Sequence, residues 1–442
     1  SYMLDNSRRS FLKKTAYLSF GFLHLALNSH SVLAKSFSKI SNRKLKKDTK
    51  KILDIHPSLN YKIISTYGDK MDDGFNVPGL ADGMGAFRYK NKTILIRNHE
   101  LQFYDGWKLS PFNSPKKDIK MLKKNHYDPK YYGGTTSIIF DEKKSQIEKQ
   151  YLSLSGTKQN CAGGVTPWNS WLTCEETINN RTSKNIDHGY VFEVKPSLDC
   201  LVQTPKPLKA LGRFNHEAVA FGLNGNLYLT EDRNDGMLYM FSPKEYQNLE
   251  KGKLFYLSTT NSNNQDTRNW NNNKINVGQK FNIKWIPIDD PNPSKDVLRS
   301  KGASLGASIF ARTEGIVQDD NFIYFICTTG GPLKKGQIWR IDTNSNVLEL
   351  WYQVSNNDML NMPDNIAVSP WGDLIICEDN GDVNRLWGMS KTGISYIIAE
   401  NNYSGSEFAG ACFSPVGNTL FVNLQSNGQT IAIQGNWSEL SS

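Results

Sequence analysis

Asn215-His216-Glu217-Ala218-Val219-Ala220-Phe221-Gly222 runs into Gly225-Asn226-Leu227-Tyr228-Leu229-Thr230-Glu231-Asp232 and then Gly236-Met237-Leu238-Tyr239-Met240-Phe241. A polar opening, a short apolar run, a glycine turn, a second run ending in acids and a third run make one antiparallel unit. A second copy reads Pro363-Asp364-Asn365-Ile366-Ala367-Val368, then Gly372-Asp373-Leu374-Ile375-Ile376-Cys377-Glu378-Asp379, then Arg385-Leu386-Trp387. Glu217 to Glu231 and Asp364 to Glu378 are both fourteen residues apart.

Four looser copies extend the pattern. They open at Arg312-Thr313-Glu314-Gly315, Cys161-Ala162-Gly163-Gly164, Phe408-Ala409-Gly410 and Asp82-Gly83-Met84-Gly85. Long helical periodicity is scarce after residue 55, and runs such as 93–97, 322–328 and 419–423 are rich in Ile, Phe, Tyr and Thr. Radial repetition of small antiparallel sheets is how propellers are built, so the pattern predicts an all-β, six-bladed β-propeller over residues 56–442. Two β-sandwiches would explain the strands but not the equivalent openings. The Asn/Pro-rich segment 258–300 reads as a surface insertion.

The chain has 442 residues, 38% of them apolar and 11% aromatic, which excludes a disordered chain and a polytopic membrane protein. Its net charge of +9 is local. Residues 1–51 hold twelve Lys/Arg and two acids, while the other 391 hold 40 bases and 41 acids. The folded part lacks the basic surface a nucleic-acid binder needs, so no nucleic acid is expected as a partner.

Ser7-Arg8-Arg9-Ser10-Phe11-Leu12-Lys13 precedes a thirteen-residue apolar stretch, 15–27, and then Val32-Leu33-Ala34. Paired arginines, a short apolar region and a small residue at the end read as a twin-arginine signal over 1–34, cleaved near Ala34. The stretch falls well short of the ~20 residues that span a bilayer. Residues 35–55 read as a basic tail or linker. The expectation is a periplasmic or secreted monomer, handled by the twin-arginine machinery and not held in the membrane after cleavage. The six cysteines are expected to be mostly free, because Cys174, Cys327 and Cys377 sit in apolar runs.

In a propeller the opening residues of each unit converge at one end of the central channel. Those positions hold Asp82, Cys161, Glu217, Glu314 and Asp364, and the second runs end in Glu100, Glu175, Glu176, Glu231, Asp232, Glu378 and Asp379. Converging carboxylates stay ionised when multivalent cations neutralise them, and hard oxygen donors suit Ca²⁺. A thiolate among them points to a transition metal such as Fe or Zn. An acid after a strand also caps turns, so the second-run acids carry both readings. Arg312, two residues from Glu314, shares its face, and a guanidinium fork there suits a phosphoryl oxygen or an ion pair with the acids. His99 and His216 fit a ligand, an acid or a packed imidazole equally.

Taken in order over residues 80–435, further segments resemble the PhoX family of alkaline phosphatases. They are Arg97-Asn98-His99-Glu100, Gly133-Gly134-Thr135-Thr136, Asn160-Cys161-Ala162-Gly163-Gly164, Leu172-Thr173-Cys174-Glu175-Glu176, Gly212-Arg213-Phe214-Asn215-His216-Glu217, Arg312-Thr313-Glu314-Gly315, Pro363-Asp364-Asn365 and Cys377-Glu378-Asp379. The resemblance implies an exported propeller that combines Fe³⁺ with Ca²⁺ through an oxo or hydroxo bridge. By motif, Cys161 is the iron ligand and Glu217, Glu314 and Asp364 are shared metal ligands. Glu175, Glu176 and Glu378 are calcium ligands or supports, and Arg312 clamps substrate phosphate with His216 nearby. The function expected is hydrolysis of small phosphate monoesters to inorganic phosphate. A lactonase or phosphodiesterase on the same scaffold, or a non-catalytic calcium-binding propeller, are the other expectations.

Overall fold

A computed structural model describes residues 39–40, 44–260, 266–271, 274–392 and 394–440. The signal expected over 1–34 lies outside the described residues. Two short strands, β1 (Lys39–Ile40) and β2 (Asp54–Ile55), precede β3 (Leu59–Thr66). An antiparallel sheet then forms from β4 (Ala81–Tyr89), β5 (Lys92–His99), β6 (Gly133–Asp141) and β7 (Gln146–Thr157). A three-stranded sheet follows, of β8 (Asn160–Val165), β9 (Trp171–Glu175) and β10 (Val191–Val194).

Next come β11 (His216–Phe221), β12 (Leu227–Glu231), β13 (Leu238–Pro243), β14 (Gly252–Thr259) and β15 (Lys280–Pro287). After them run β16 (Thr313–Asp319), β17 (Phe322–Cys327), β18 (Gln337–Asp342) and β19 (Val347–Gln353). Strand β15 pairs with both β14 and β19, which merges these into one nine-stranded sheet. Its Lys280, Asn282 and Lys284 face solvent while Phe281 and Ile283 are buried, the alternation of a half-covered strand. The stretch read as a surface insertion therefore supplies a bridging strand.

The last strands are β20 (Pro363–Val368), β21 (Leu374–Glu378), β22 (Asn384–Met389), β23 (Ile394–Asn401), β24 (Phe408–Phe413), β25 (Leu420–Leu424) and β26 (Gln429–Gly435). Strand β26 pairs along its length with β3, so the chain closes through its beginning. Both β1 and β2 pair with β23, and Leu53 and Ile55 are buried in the adjoining core. The segment read as a tail over 35–55 is thus docked where it is described. Strands β1 and β2 cover the edge of β23.

The architecture is all-β and propeller-like. The first strands of the units contact one another in the circular order β4, β8, β11, β16, β20, β24 and back to β4. Between sheets lie apolar layers: Phe310, Phe325 and Trp339 in one, Leu386, Ile398, Val422 and Ile431 in another. Each such side chain contributes about 1.5–3 kcal/mol on burial. Strands like Leu374–Glu378 are buried on both faces, which is why they read as unbroken apolar runs. All six cysteines are free thiols, and no helix among the described residues is long and apolar enough to cross a membrane.

Candidate active site

Each of the six first strands breaks register near its start. The shifts fall between Ala81 and Met84, Asn160 and Gly163, His216 and Val219, Thr313 and Ile316, Pro363 and Asn365, and Ala409 and Cys412. A bulge re-aims the side chain it contains. The residues inside these bulges include Asp82, Cys161, Glu217, Glu314 and Asp364. Glycines after two of them let neighbouring strands close up. A Cβ on Gly83 would lie 2.5 Å from Ala162 Cα, and one on Gly315 would lie 2.5 Å from the Asp364 carbonyl oxygen. Those approaches bring Asp82 beside Cys161 and Glu314 beside Asp364.

The bulge carbonyls are held by polar side chains from the second strand of a neighbouring unit. Asn98 Nδ2 donates to Cys161 O at 3.0 Å, and Thr230 Oγ1 donates to Glu314 O at 2.6 Å. Thr328 Oγ1 donates to Pro363 O at 2.7 Å, and Asn423 Nδ2 to Asp82 O at 2.6 Å. Every one of these donors is buried, so the bonds are shielded from water.

The result is a linked set of acids around one thiol. Four groups each bring their donor atoms within 4.8 Å: Asp82, Glu100 and Cys161; Cys161, Glu176 and Glu217; Glu217, Glu314 and Asp364; Asp364, Asp379 and Glu407. Cys161 Sγ lies 3.2 Å from Glu217 Oε1 and 3.9 Å from Asp82 Oδ2. Gln425 Nε2 bridges Asp82 Oδ2 at 2.6 Å and Glu100 Oε2 at 2.9 Å. Carboxyl groups also touch directly, Glu100 against Glu176, Glu176 against Asp232, Glu314 against Asp364 and Glu407 against Asp379.

Burial and mutual repulsion push these protons up. Asp82 rises to about 8, by burial first and the charge of Asp364 second. Asp364 rises to about 6, mainly by burial. Glu100, Glu176, Glu217, Glu314 and Glu407 move well above the usual carboxylate range, and the Cys161 thiol moves up with them. Glu217 Oε2 is buried without a hydrogen-bond partner. Unpaired buried charge of this density calls for cations.

One cation of the protein itself enters the cluster. Arg312 Nε and Nη2 fork onto Asp232 at 2.8 and 3.0 Å, and Nη2 reaches Glu314 Oε1 at 2.6 Å. Its backbone sits at φ 54°, a conformation costing a non-glycine residue about 1 kcal/mol or more. Bonds from its N–H to Arg233 O and from Thr328 N–H to its carbonyl hold it there, at 2.9 and 3.1 Å.

The second-strand acids divide by position. Glu175, which the sequence offered as a metal ligand or support, accepts from Lys158 N, Gly189 N, Tyr190 N and His188 Nδ1. Glu378, offered likewise, accepts from Asn361 N, Arg385 N and Trp387 Nε1. Glu231 accepts from Tyr239 OH at 2.9 Å. The structure brings none of the three into the linked groups. It is the next residue each time, Glu176, Asp232 and Asp379, that turns to the cluster, because successive side chains on a strand point to opposite sides. Lys158 and Asn361 each lie three residues before Cys161 and Asp364. Glu175 and Glu378 therefore anchor the approach to those bulges.

The two histidines are also packed away from the acids. His216 stacks on Phe214 at 3.7 Å and its Nε2 bonds Gly212 O at 2.8 Å. Neither contact involves Arg312. His99 is held between Gly79 O and Thr136 Oγ1. Glu407 and Gln425 are site members that the sequence reading did not single out. The signal for Gln425 is spacing: Cys161 to Glu176, Glu217 to Asp232, Asp364 to Asp379 and Gly410 to Gln425 are all fifteen residues.

A family model described as alkaline phosphatase PhoX matches residues 40–149 and 140–428. Among solved structures, Pseudomonas fluorescens PhoX in complex with vanadate, a transition state analogue, is 18% identical, with 91% of this chain and 98% of that chain covered at a TM-score of 0.64. At that identity the likeness speaks for the fold. A gluconolactonase from Xanthomonas campestris is 8% identical over 85% of this chain and 98% of its own, with a TM-score of 0.42. No curated protein matches.

Proposed function

The chain belongs to the PhoX family of alkaline phosphatases, and from that premise we propose how its residues carry out phosphate-monoester hydrolysis. The chain is a metal-dependent phosphatase. The donor set fits two kinds of cation. Asp364, Asp379 and Glu407, and Glu217, Glu314 and Asp364, offer oxygen alone and would hold Ca²⁺. The groups that contain Cys161, with Asp82, Glu100, Glu176 and Glu217, mix sulfur with oxygen and would hold Fe³⁺. Bound cations supply Lewis-acid charge to the phosphoryl oxygens and acidify water.

The chain's own part is orientation and charge. Arg312 would exchange part of its fork on Asp232 and Glu314 for the phosphoryl oxygens, and its anchored backbone keeps it from following the substrate. The fork adds positive charge where the equatorial oxygens gain negative charge in the transition state. Asn98, Thr230, Thr328 and Asn423 hold the bulges rigid while this happens. Glu175 and Glu378 act behind Cys161 and Asp364 as positioning residues.

Six units are supported by the circular contact order of the six first strands and by the closure of β26 on β3, and we count the propeller as six-bladed. The paired Arg8-Arg9 leader supports export through the twin-arginine route to the periplasm, and the enzyme is taken as a monomer.

The linked acids around Cys161 carry the reading. Elemental analysis of protein exported by its own leader, with a p-nitrophenyl phosphate assay, tests it. Iron and calcium with phosphatase turnover are expected. Turnover of a lactone or a bis-ester instead of the monoester would overturn it.

A further inference from the structure

The rim beside Glu100 and Glu176 is aromatic. Just after Glu100 the chain makes a short 3₁₀ turn, Phe103–Asp105, in which Asp105 Oδ2 accepts from Gln102 N at 2.6 Å. The turn leaves Phe103 69%, Tyr104 77% and Trp107 50% exposed. Packing does not explain large rings left in water within five residues of one another.

The turn is tied to the site on both sides. Gln159 N donates to Leu101 O at 2.9 Å, and Gln159 Nε2 donates to Glu176 Oε2 at 3.3 Å. Phe103 meets Tyr131 edge-on at 6.2 Å, and Lys158 Nζ covers the Tyr131 ring at 4.8 Å. Near the Arg312 side, by contrast, Trp270 is already engaged by Arg268 at 4.3 Å and Lys334 at 4.7 Å. Free ring faces stand on the Glu100 side.

We propose that Phe103 and Tyr104 form a platform for the organic half of the substrate, selecting esters with a planar aromatic group, aryl or nucleoside monophosphates, over aliphatic ones. The proposal rests on the phosphatase reading. With the phosphoryl group gripped at Arg312, the ester's other half emerges through the rim, where a flat ring finds π faces at little entropic cost.

The test is the ratio of kcat/KM for p-nitrophenyl phosphate, and for 5′-AMP, to that for glycerol 2-phosphate. In a Phe103→Ala/Tyr104→Ala double variant both ratios are expected to fall about tenfold, the scale of losing one stacked ring. Tyr104→Phe, which keeps the ring, is expected to hold them. Phenylphosphonate should also lose its advantage over methylphosphonate as an inhibitor in the double variant. Ratios that stay unchanged, or that fall equally in Tyr104→Phe, overturn the platform. A wild-type enzyme inactive on all three esters would sink the phosphatase reading and the platform with it.

Discussion

Asn423 Nδ2 donates to the main-chain carbonyl of Asp82 at 2.6 Å across 341 residues of sequence. Its Oδ1 accepts from Thr430 Oγ1 at 2.7 Å, so one amide links β25, β26 and the Asp82 bulge. Asn423→Leu keeps the volume and removes both bonds. It is expected to lower stability by about 2 kcal/mol in denaturant unfolding, because a buried carbonyl loses its donor. Bound metal should fall in the same variant. Full metal content would show that the bulge holds its shape without the amide.

The crowded acids predict an inversion on metal removal. Without cations, Glu217→Gln removes a carboxyl whose charge is opposed by burial first and by Glu176, Asp364 and Asp232 next, so the metal-free variant should melt several degrees above the metal-free wild type. With iron and calcium restored the order should reverse, since ligand binding stabilises only the form that can bind it. Calorimetry of both proteins, stripped with chelator and reloaded, checks this. A wild type that melts higher in both states would contradict it.

Cys161→Ala should lose iron and Glu314→Ala calcium, each with turnover, while far-UV circular dichroism still reports the β fold. Arg312→Lys retains the charge but not the fork. Its kcat/KM is expected to drop about 10²- to 10³-fold with little change in melting temperature. A drop under tenfold would mean the guanidinium serves Asp232 and Glu314 and not the substrate.

His188 gives a pH signature of its own. Burial alone would depress it, but the carboxylates of Glu175 and Asp128, at 2.7 and 3.1 Å, outweigh burial and raise it to about 9. A raised folded value means its stability contribution is full below about pH 6.5 and declines as pH rises through 9. The contribution is up to about 3 kcal/mol. Unfolding free energies from pH 6 to 10 should show this slope in wild type and lose it in His188→Gln.

The repeat phase makes the bulge residues legible in the sequence, because five of the six openings carry an acid or thiol at one place. It misled at the second strands. The fourteen-residue spacing picks out Glu231 and Glu378, whereas the cluster takes the residue one further on. In a strand that single step moves a side chain to the other side, and apolar runs buried on both sides give no alternation to fix the phase. Glu407 was hidden for another reason. The corresponding place in the last bulge holds Gly410, at φ 65° and too close to Asp82 O for any side chain, so the acid arrives from the residue before β24. Strand β15 hid inside an Asn/Pro-rich stretch, where composition reads as loop.

The pairing of β3 with β26 has a consequence for synthesis. Strand β3 is synthesised well ahead of β26, so it waits for its partner while the strands between them are made. Asp82, pinned by Asn423 and bridged to Glu100 by Gln425, waits with it. A nascent chain stalled before residue 420 has most of these strands but lacks Asn423 and Gln425, so the Asp82 side of the site is fixed only once β25 and β26 have emerged.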